Sequence, residues 1–204
     1  MQEKNYTGLI PDNTDGKAIT AEAVAVMNNV QEARALYTIA RERLLYVHNW
    51  GNITGKLSTD FQLTDENGNE VDRFAQPGDH FRIDITGPGS SAGEGYDWAS
   101  VEAIKEVHEN DVDSIALRVR PAANPKTAND HTAHFYSAQS TSTFVITREG
   151  TTVTASVYDR NIEPNEAAAS LIDKARNAVV GLSAKHGLSK LQWHALAEAF
   201  IRST

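Results

Sequence analysis

The sequence predicts an α+β domain: a mostly antiparallel, curved sheet of six to seven strands, or a partial barrel, over residues 57–158. A long N-terminal helix (20–47) and a C-terminal helix pair (165–186 and 190–202) cover it. Three observations carry this reading. Short runs of alternating apolar and polar residues recur between 57 and 158, each closed by a turn signal. Apolar residues recur at helical spacing on both sides of that region. The runs are joined by tight turns, with no room for the crossover helices a parallel sheet needs.

Residues 1–18 are polar and broken by Gly8, Pro11 and Gly16, and read as a flexible arm before a single domain spanning 19–204. Val26, Val30, Ala33, Tyr37, Ala40, Leu44 and Val47 then follow an alternating 4,3 spacing, with Thr20 as the expected N-cap. Such a stripe suits a helix lying on a sheet. It also suits a coiled-coil seam, so this helix is the expected surface for any homo-oligomer. His48-Asn49-Trp50-Gly51 reads as the helix end, with Asn49 or Gly51 taking the left-handed stop.

Strands are expected at 57–63 and 70–74, joined by a turn around Asn67-Gly68, and at 81–85, where Phe81, Ile83 and Ile85 alternate with Arg82 and Asp84. Further strands are expected at 115–119, 143–148 and 151–158, the last two joined by Glu149-Gly150. Residues 98–107 read as a strand, but the alternation breaks between Val101 and Ile104. A bulge would repair it; a helix is the alternative. Near the end of the chain, Ser189 with Gln192 reads as a capping box and Leu188 with Trp193 as a hydrophobic staple.

The segment Gly87-Pro88-Gly89-Ser90-Ser91-Ala92 matches the dinucleotide pattern G-x-G-x-x-G/A behind a strand. That chemistry needs a helix N-terminus directly behind the glycines. Here Gly93 and Gly95 occupy the first turn of any such helix, at a cost of about 1 kcal/mol each relative to alanine. The segment therefore reads as a hairpin loop, with an NAD(P)-binding oxidoreductase as the remoter alternative. Gly87, Gly89, Gly93, Gly95, Tyr96 and Trp98 are its candidate ligand- or partner-binding residues. The turn Gly78-Asp79, the strand 81–85, the long glycine loop, Trp98 and the strand 115–119 together resemble the pattern of small SH3-like barrels. That resemblance covers about a third of the chain and implies peptide or partner binding through loop aromatics.

The long loop 121–140 holds Asp130, His131 and His134, weak candidates for a metal site that would still need a third ligand. No metal and no cofactor is expected on this basis. Arg82, Arg118 and Arg120 fall on the polar side of their strands, and would suit an anion if that side faced a cleft. Cross-strand ion pairs are the alternative.

The formal net charge is -8, with residues 1–163 at -10 and residues 164–204 at +2, which disfavours nucleic-acid partners. Cysteine is absent, which removes disulfides and thiolate chemistry. No apolar run approaches the roughly 18 residues that span a bilayer. Nothing at the start reads as a secretory leader, although a trimmed one leaves no trace; the expected location is the cytoplasm. The expected function is a non-enzymatic binding or interaction domain acting through loops 87–96 and 121–140 on an unknown protein or small molecule. The competing expectation is an enzyme or small-ligand carrier with an Arg/His-lined cleft between sheet and helices.

Overall fold

The computed structural model describes residues 3–55, 59–85, 90, 92–128, 130–165 and 185–203. It is an α+β fold built on one curved, seven-stranded antiparallel sheet in the order β1-β7-β6-β5-β4-β3-β2. The strands are β1 (Lys17–Val26), β2 (Thr59–Thr64), β3 (His80–Ile85), β4 (Asp97–Glu109), β5 (Val112–Pro121), β6 (Thr141–Glu149) and β7 (Thr152–Ile162). Helices α1 (Val30–Leu45) and α2 (Trp50–Thr54) follow β1, and α3 (Lys185–Phe200) closes the chain. Strands β2 to β7 form a meander, and β7 pairs with β1.

The sheet begins earlier than the sequence suggested. Residues 20–26 are the second half of β1, with Thr20 paired to Tyr158 rather than capping a helix. The helix starts at Val30. Asn29 caps it, accepting a hydrogen bond from Glu32 N at 2.9 Å and donating from Nδ2 to Glu32 Oε1 at 2.9 Å. The two elements merged in the sequence because Ala21, Ala23 and Ala25 line the inner face of β1. Alanine gives neither period a strong signal. From Ala33 onward the stripe is real: Ala33, Leu36, Tyr37, Ala40 and Leu44 are buried in this chain's own core.

The helix end also differs. Tyr46 closes α1 and Trp50 opens α2, which stops at Gly55 in the left-handed conformation (φ 72°). Asn49 and Gly51 take no such turn.

Strand β4 carries the bulge, with its register shifting between Val101 and Ala103. The segment 70–74 shrinks to a single bridge from Glu70 to Thr64, because the Asp65 carboxylate gathers the Asn67 and Asn69 amides at 2.9 and 2.8 Å. Residues 57–121 hold four neighbouring strands of one sheet rather than a closed small barrel.

Of the predicted C-terminal pair, the first helix falls mostly on 166–184, outside the described residues. The second begins earlier than expected and runs through Gly187 and Ser189, so the helix does not start at Ser189. One interior glycine costs about 1 kcal/mol. That is too little to break a helix whose later residues Leu196, Ala197 and Phe200 are anchored in the core.

Alternation along the strands sets two faces. Phe61, Leu63, Phe81, Val101, Ile115, Leu117, Phe144, Ile146, Val153 and Val157 point inward against the helices. At their centre is Trp50, fully buried. Its ring centroid lies 5.3 Å from Phe61, 5.5 Å from Phe81, 4.8 Å from Phe144 and 5.6 Å from Phe200. On the outer face, Leu9 and Ile10 of the N-terminal segment are buried against Ala116, Val145 and Tyr158.

One inward position is a carboxylate. Asp159 continues the series Val153, Ala155 and Val157, and it accepts hydrogen bonds from Ser142 Oγ at 2.7 Å and Trp193 Nε1 at 2.9 Å. It thereby ties β7 to β6 and α3. Burial pushes its carboxyl up to about 6, while the two donors and the Arg160 charge pull the other way.

Two outcomes are expected. Trp50→Ala removes about 3–5 kcal/mol of stability in equilibrium urea denaturation. For Asp159 the folded value lies above the ordinary 3.8, so its contribution is complete below that value and is lost as pH rises through about 6. Asp159→Asn therefore stabilises the protein at neutral pH by up to about 3 kcal/mol and flattens the pH dependence across that window. A variant less stable than the parent at neutral pH contradicts this account of the buried charge.

Candidate functional site

The two loops singled out from the sequence meet at one end of the sheet. The link is Trp98, buried at the start of β4. Its backbone N donates to Ala133 O at 2.8 Å, and its O accepts from Ala122 N at 2.9 Å. Ala133 N in turn donates to Ala122 O at 2.9 Å. The 121–140 loop thus extends the sheet beside β4 rather than hanging free.

The described part of the glycine loop is a compact turn. Gly93 N and Gly95 N both donate to Ser90 O, at 3.2 and 2.8 Å, and Tyr96 N returns to Gly93 O at 3.1 Å. A Cβ on Gly93 would lie 1.9 Å from Tyr96 O, so glycine is required there by contact. Trp98 Nε1 donates to Gly93 O at 3.3 Å, which joins the turn to the strand. The Tyr96 ring carries the Arg82 guanidinium 4.7 Å from its centroid. Gly87 and Gly89 lie outside the described residues. The turn leads into a strand, so no helix N-terminus stands behind Gly93 and Gly95 for a pyrophosphate.

Beside this junction is a cleft of about 540 Å³, lined by Thr132, Ser137, Ala138, Gln139, Glu163, Pro164 and Asn165. Its walls are cross-braced. Asn165 Nδ2 donates to Thr132 O and His134 O, both at 3.0 Å, and Asn165 N donates to Phe135 O at 2.9 Å. Ser137 N donates to Glu163 O at 2.9 Å. His134 is buried under this brace, stacked on Phe135 at 4.4 Å, and its Nδ1 accepts from Tyr136 N at 2.9 Å. His131 and Asp130 are exposed, whereas His134 is buried. Among the described residues no group of three His, Cys, Asp or Glu side chains could hold a metal ion.

The three arginines do not form one cluster. Arg82 sits apart on β3, paired with Glu70 at 2.8 Å. Arg118 and Arg120 on β5 share Glu102, which reaches them at 2.7 and 2.6 Å. Arg120 Nη1 also donates to Ala138 O at 2.7 Å, behind the cleft wall.

Another polar constellation stands at the β4–β5 hairpin. Glu106 binds Arg41 Nε at 2.8 Å and the Tyr37 hydroxyl at 3.1 Å; Asp113 binds His108 Nδ1 at 2.8 Å and Arg148 Nε at 2.5 Å. Burial, then the Glu106 charge, drives the Tyr37 phenol far above its ordinary value, so it is no acid near neutral pH. The Glu106 pairs fasten α1 to the sheet, and the Asp113 pairs join β5 to β4 and β6.

Sequence reasoning missed Glu102, Asp159 and Arg160. Asp159 was legible as an acid on the inward phase of an apolar alternation. Glu102 and Arg160 needed the strand order.

No family model and no curated protein matches the sequence. Among solved structures, a hypothetical protein from Helicobacter pylori superposes with a TM-score of 0.50 at 9% identity, over 98% of this chain and 93% of that one. Norcoclaurine synthase from Thalictrum flavum, crystallised with dopamine and hydroxybenzaldehyde, gives 0.40 at 9% identity, over 91% and 84%. Major latex-like protein 151 from Panax ginseng gives 0.32 at 14% identity, over 88% and 99%. The first is similar to this chain in fold, and the likeness reaches no further than the fold; the other two are looser.

Proposed function

We propose that the protein is a non-enzymatic binding module that takes a small polar ligand in the cleft between the 121–140 loop and residues 163–165. The observation that supports this reading is the braced cleft of about 540 Å³ between the 121–140 loop and residues 163–165. That volume falls within the roughly 300–1,000 Å³ range of small-molecule sites. Loop 87–96 contributes as a buttress, through Trp98 and the turn that holds it. The lining offers hydroxyl, amide and carbonyl groups. Glu163 is its one ionisable side chain among the described residues, which favours recognition over acid–base turnover.

The test is a ligand-observed NMR screen of small polar fragments, followed by thermal denaturation with each hit. Free ligand at a hundred times Kd adds about 2.7 kcal/mol, or roughly 5–10 °C in Tm for a chain of this length. Gln139→Trp fills the cleft and is expected to abolish that shift while leaving the unliganded Tm nearly unchanged. Fragments that bind the filled variant as well as the parent place the site elsewhere.

A further inference from the structure

The outer face of the sheet holds a row of donors that its present contacts leave unspent. Thr143 on β6 stands between Arg118 of β5 and Tyr158 of β7 in the strand register. Thr141, two residues away on the same face, is paired with Arg160 of β7. Arg120 lies one residue beyond the last paired step of β5 and β6, Val119 with Ser142, on the Thr141 side. Two threonine hydroxyls are thus flanked by three guanidiniums.

Both threonines are inaccessible, at 2% and 0% exposure, and neither Oγ1 has a hydrogen-bond partner among the described residues. Arg118 Nε beside them is held by Glu102 at 2.7 Å. A buried hydroxyl left unsatisfied costs about 1–3 kcal/mol, so two on one row call for an acceptor.

The local charge points the same way. Among the described residues, Arg118, Arg120 and Arg160 form ion pairs with Glu102 and Glu3, three cations to two anions on a chain of net charge -8. The two carboxylates differ in kind. Glu102 is fixed on β4, bridging Arg118 and Arg120. Glu3 lies near the chain start, with a side chain 41% exposed, and reaches Arg160 Nη2 at 2.6 Å. Arg160 itself is held in place by Nη1, which donates to Asp159 O at 2.9 Å, and by the Tyr158 ring beneath its guanidinium at 5.2 Å.

We propose that this outer-face row, Arg160, Thr141, Thr143 and Arg118, is a binding site for a small oxyanion, with Glu3 as its resident internal carboxylate. An incoming carboxylate or phosphate group exchanges with Glu3 at Arg160 and takes the idle hydroxyls, a match of planar guanidinium and hydroxyl donors to oxyanion acceptors. This proposal does not rest on the cleft.

The test is a ¹⁵N-resolved NMR titration of the full chain at constant ionic strength. Inorganic phosphate and acetate are the two probes, read at the Thr141 and Thr143 amides. Glu3→Gln removes the internal competitor and is expected to tighten binding by about fivefold or more. Arg160→Gln is expected to weaken it by about tenfold, and Thr141→Val by about fivefold. Should Arg160→Gln fail to fold, the Glu3 and Thr141 variants carry the test. A response to phosphate alone assigns a phosphate ligand, and a response to acetate alone assigns a carboxylate. A response to both supports a general oxyanion site. No response to either, or a Glu3→Gln affinity equal to the parent's, overturns the proposal. Gln139→Trp leaves these affinities unchanged, so this site and the cleft fail separately.

Discussion

The structure depends on the seat of one side chain, Trp50. Its indole N–H donates to Arg43 O at 3.0 Å and Leu44 O at 3.3 Å, so it satisfies carbonyls at the end of α1 while its ring fills the core. Edge-on and tilted contacts with Phe61, Phe81, Phe144 and Phe200 join β2, β3, β6 and α3 around it. The α1 end is pinned a second time from outside. Arg43 Nη1 donates to the carbonyls of Ala199, Phe200 and Arg202 at 3.1, 3.0 and 2.7 Å. One short stretch of chain therefore fixes how both helices meet the sheet. The core side of the sheet is accordingly filled by side chains at the described residues.

The elements that were legible in the sequence are those with strong local periodicity. Strands β3, β5, β6 and β7 carry β-branched and aromatic residues at alternate positions. The break in β4 was visible as an error in alternation, and it is a real register shift. Strand β1 failed for the opposite reason: its inward residues are alanines, which fit either period. The signal that separates it from α1 was present in Asn28-Asn29 followed by Glu32. A helical stripe running through those positions outweighed it. Residues 187–189 carried a strong local turn signal, which the anchoring of the later α3 side chains in the core overrode.

Site residues were legible only as far as one strand at a time allows. Both loops were visible because glycines, histidines and length mark a loop without knowledge of its neighbours. The arginines were visible as residues but not as a set. Which of them share a carboxylate depends on the order of β3, β4 and β5, and the pairing of Thr141 with Arg160 depends on β7 lying beside β6. The buried charges show the same limit. Arg148 is buried against Asp113 and Asp111 as its counterions. Asp159, equally buried, has a hydroxyl and an indole as its direct side-chain donors among the described residues. Composition cannot tell these two cases apart, although the first is compensated and the second costs stability at neutral pH.

The N-terminal segment shows how an outer-face site can open without unfolding the sheet. Its hold comes from Leu9 and Ile10, each worth about 1.5–3 kcal/mol when fully buried. Asn5 closes the loop around them by exchanging two 3.0 Å hydrogen bonds with the Ile10 backbone. Lys4 and Tyr6 add contacts to Glu149 from the surface. Glu3 lies outside this closed loop, joined to the body by its pair with Arg160. Breaking that pair leaves the apolar plug and the Asn5 closure in place. Admitting an anion therefore exchanges one ion pair, between a largely buried guanidinium and an exposed carboxylate, for another at the same guanidinium, and the donors gained are already buried and aligned by the sheet.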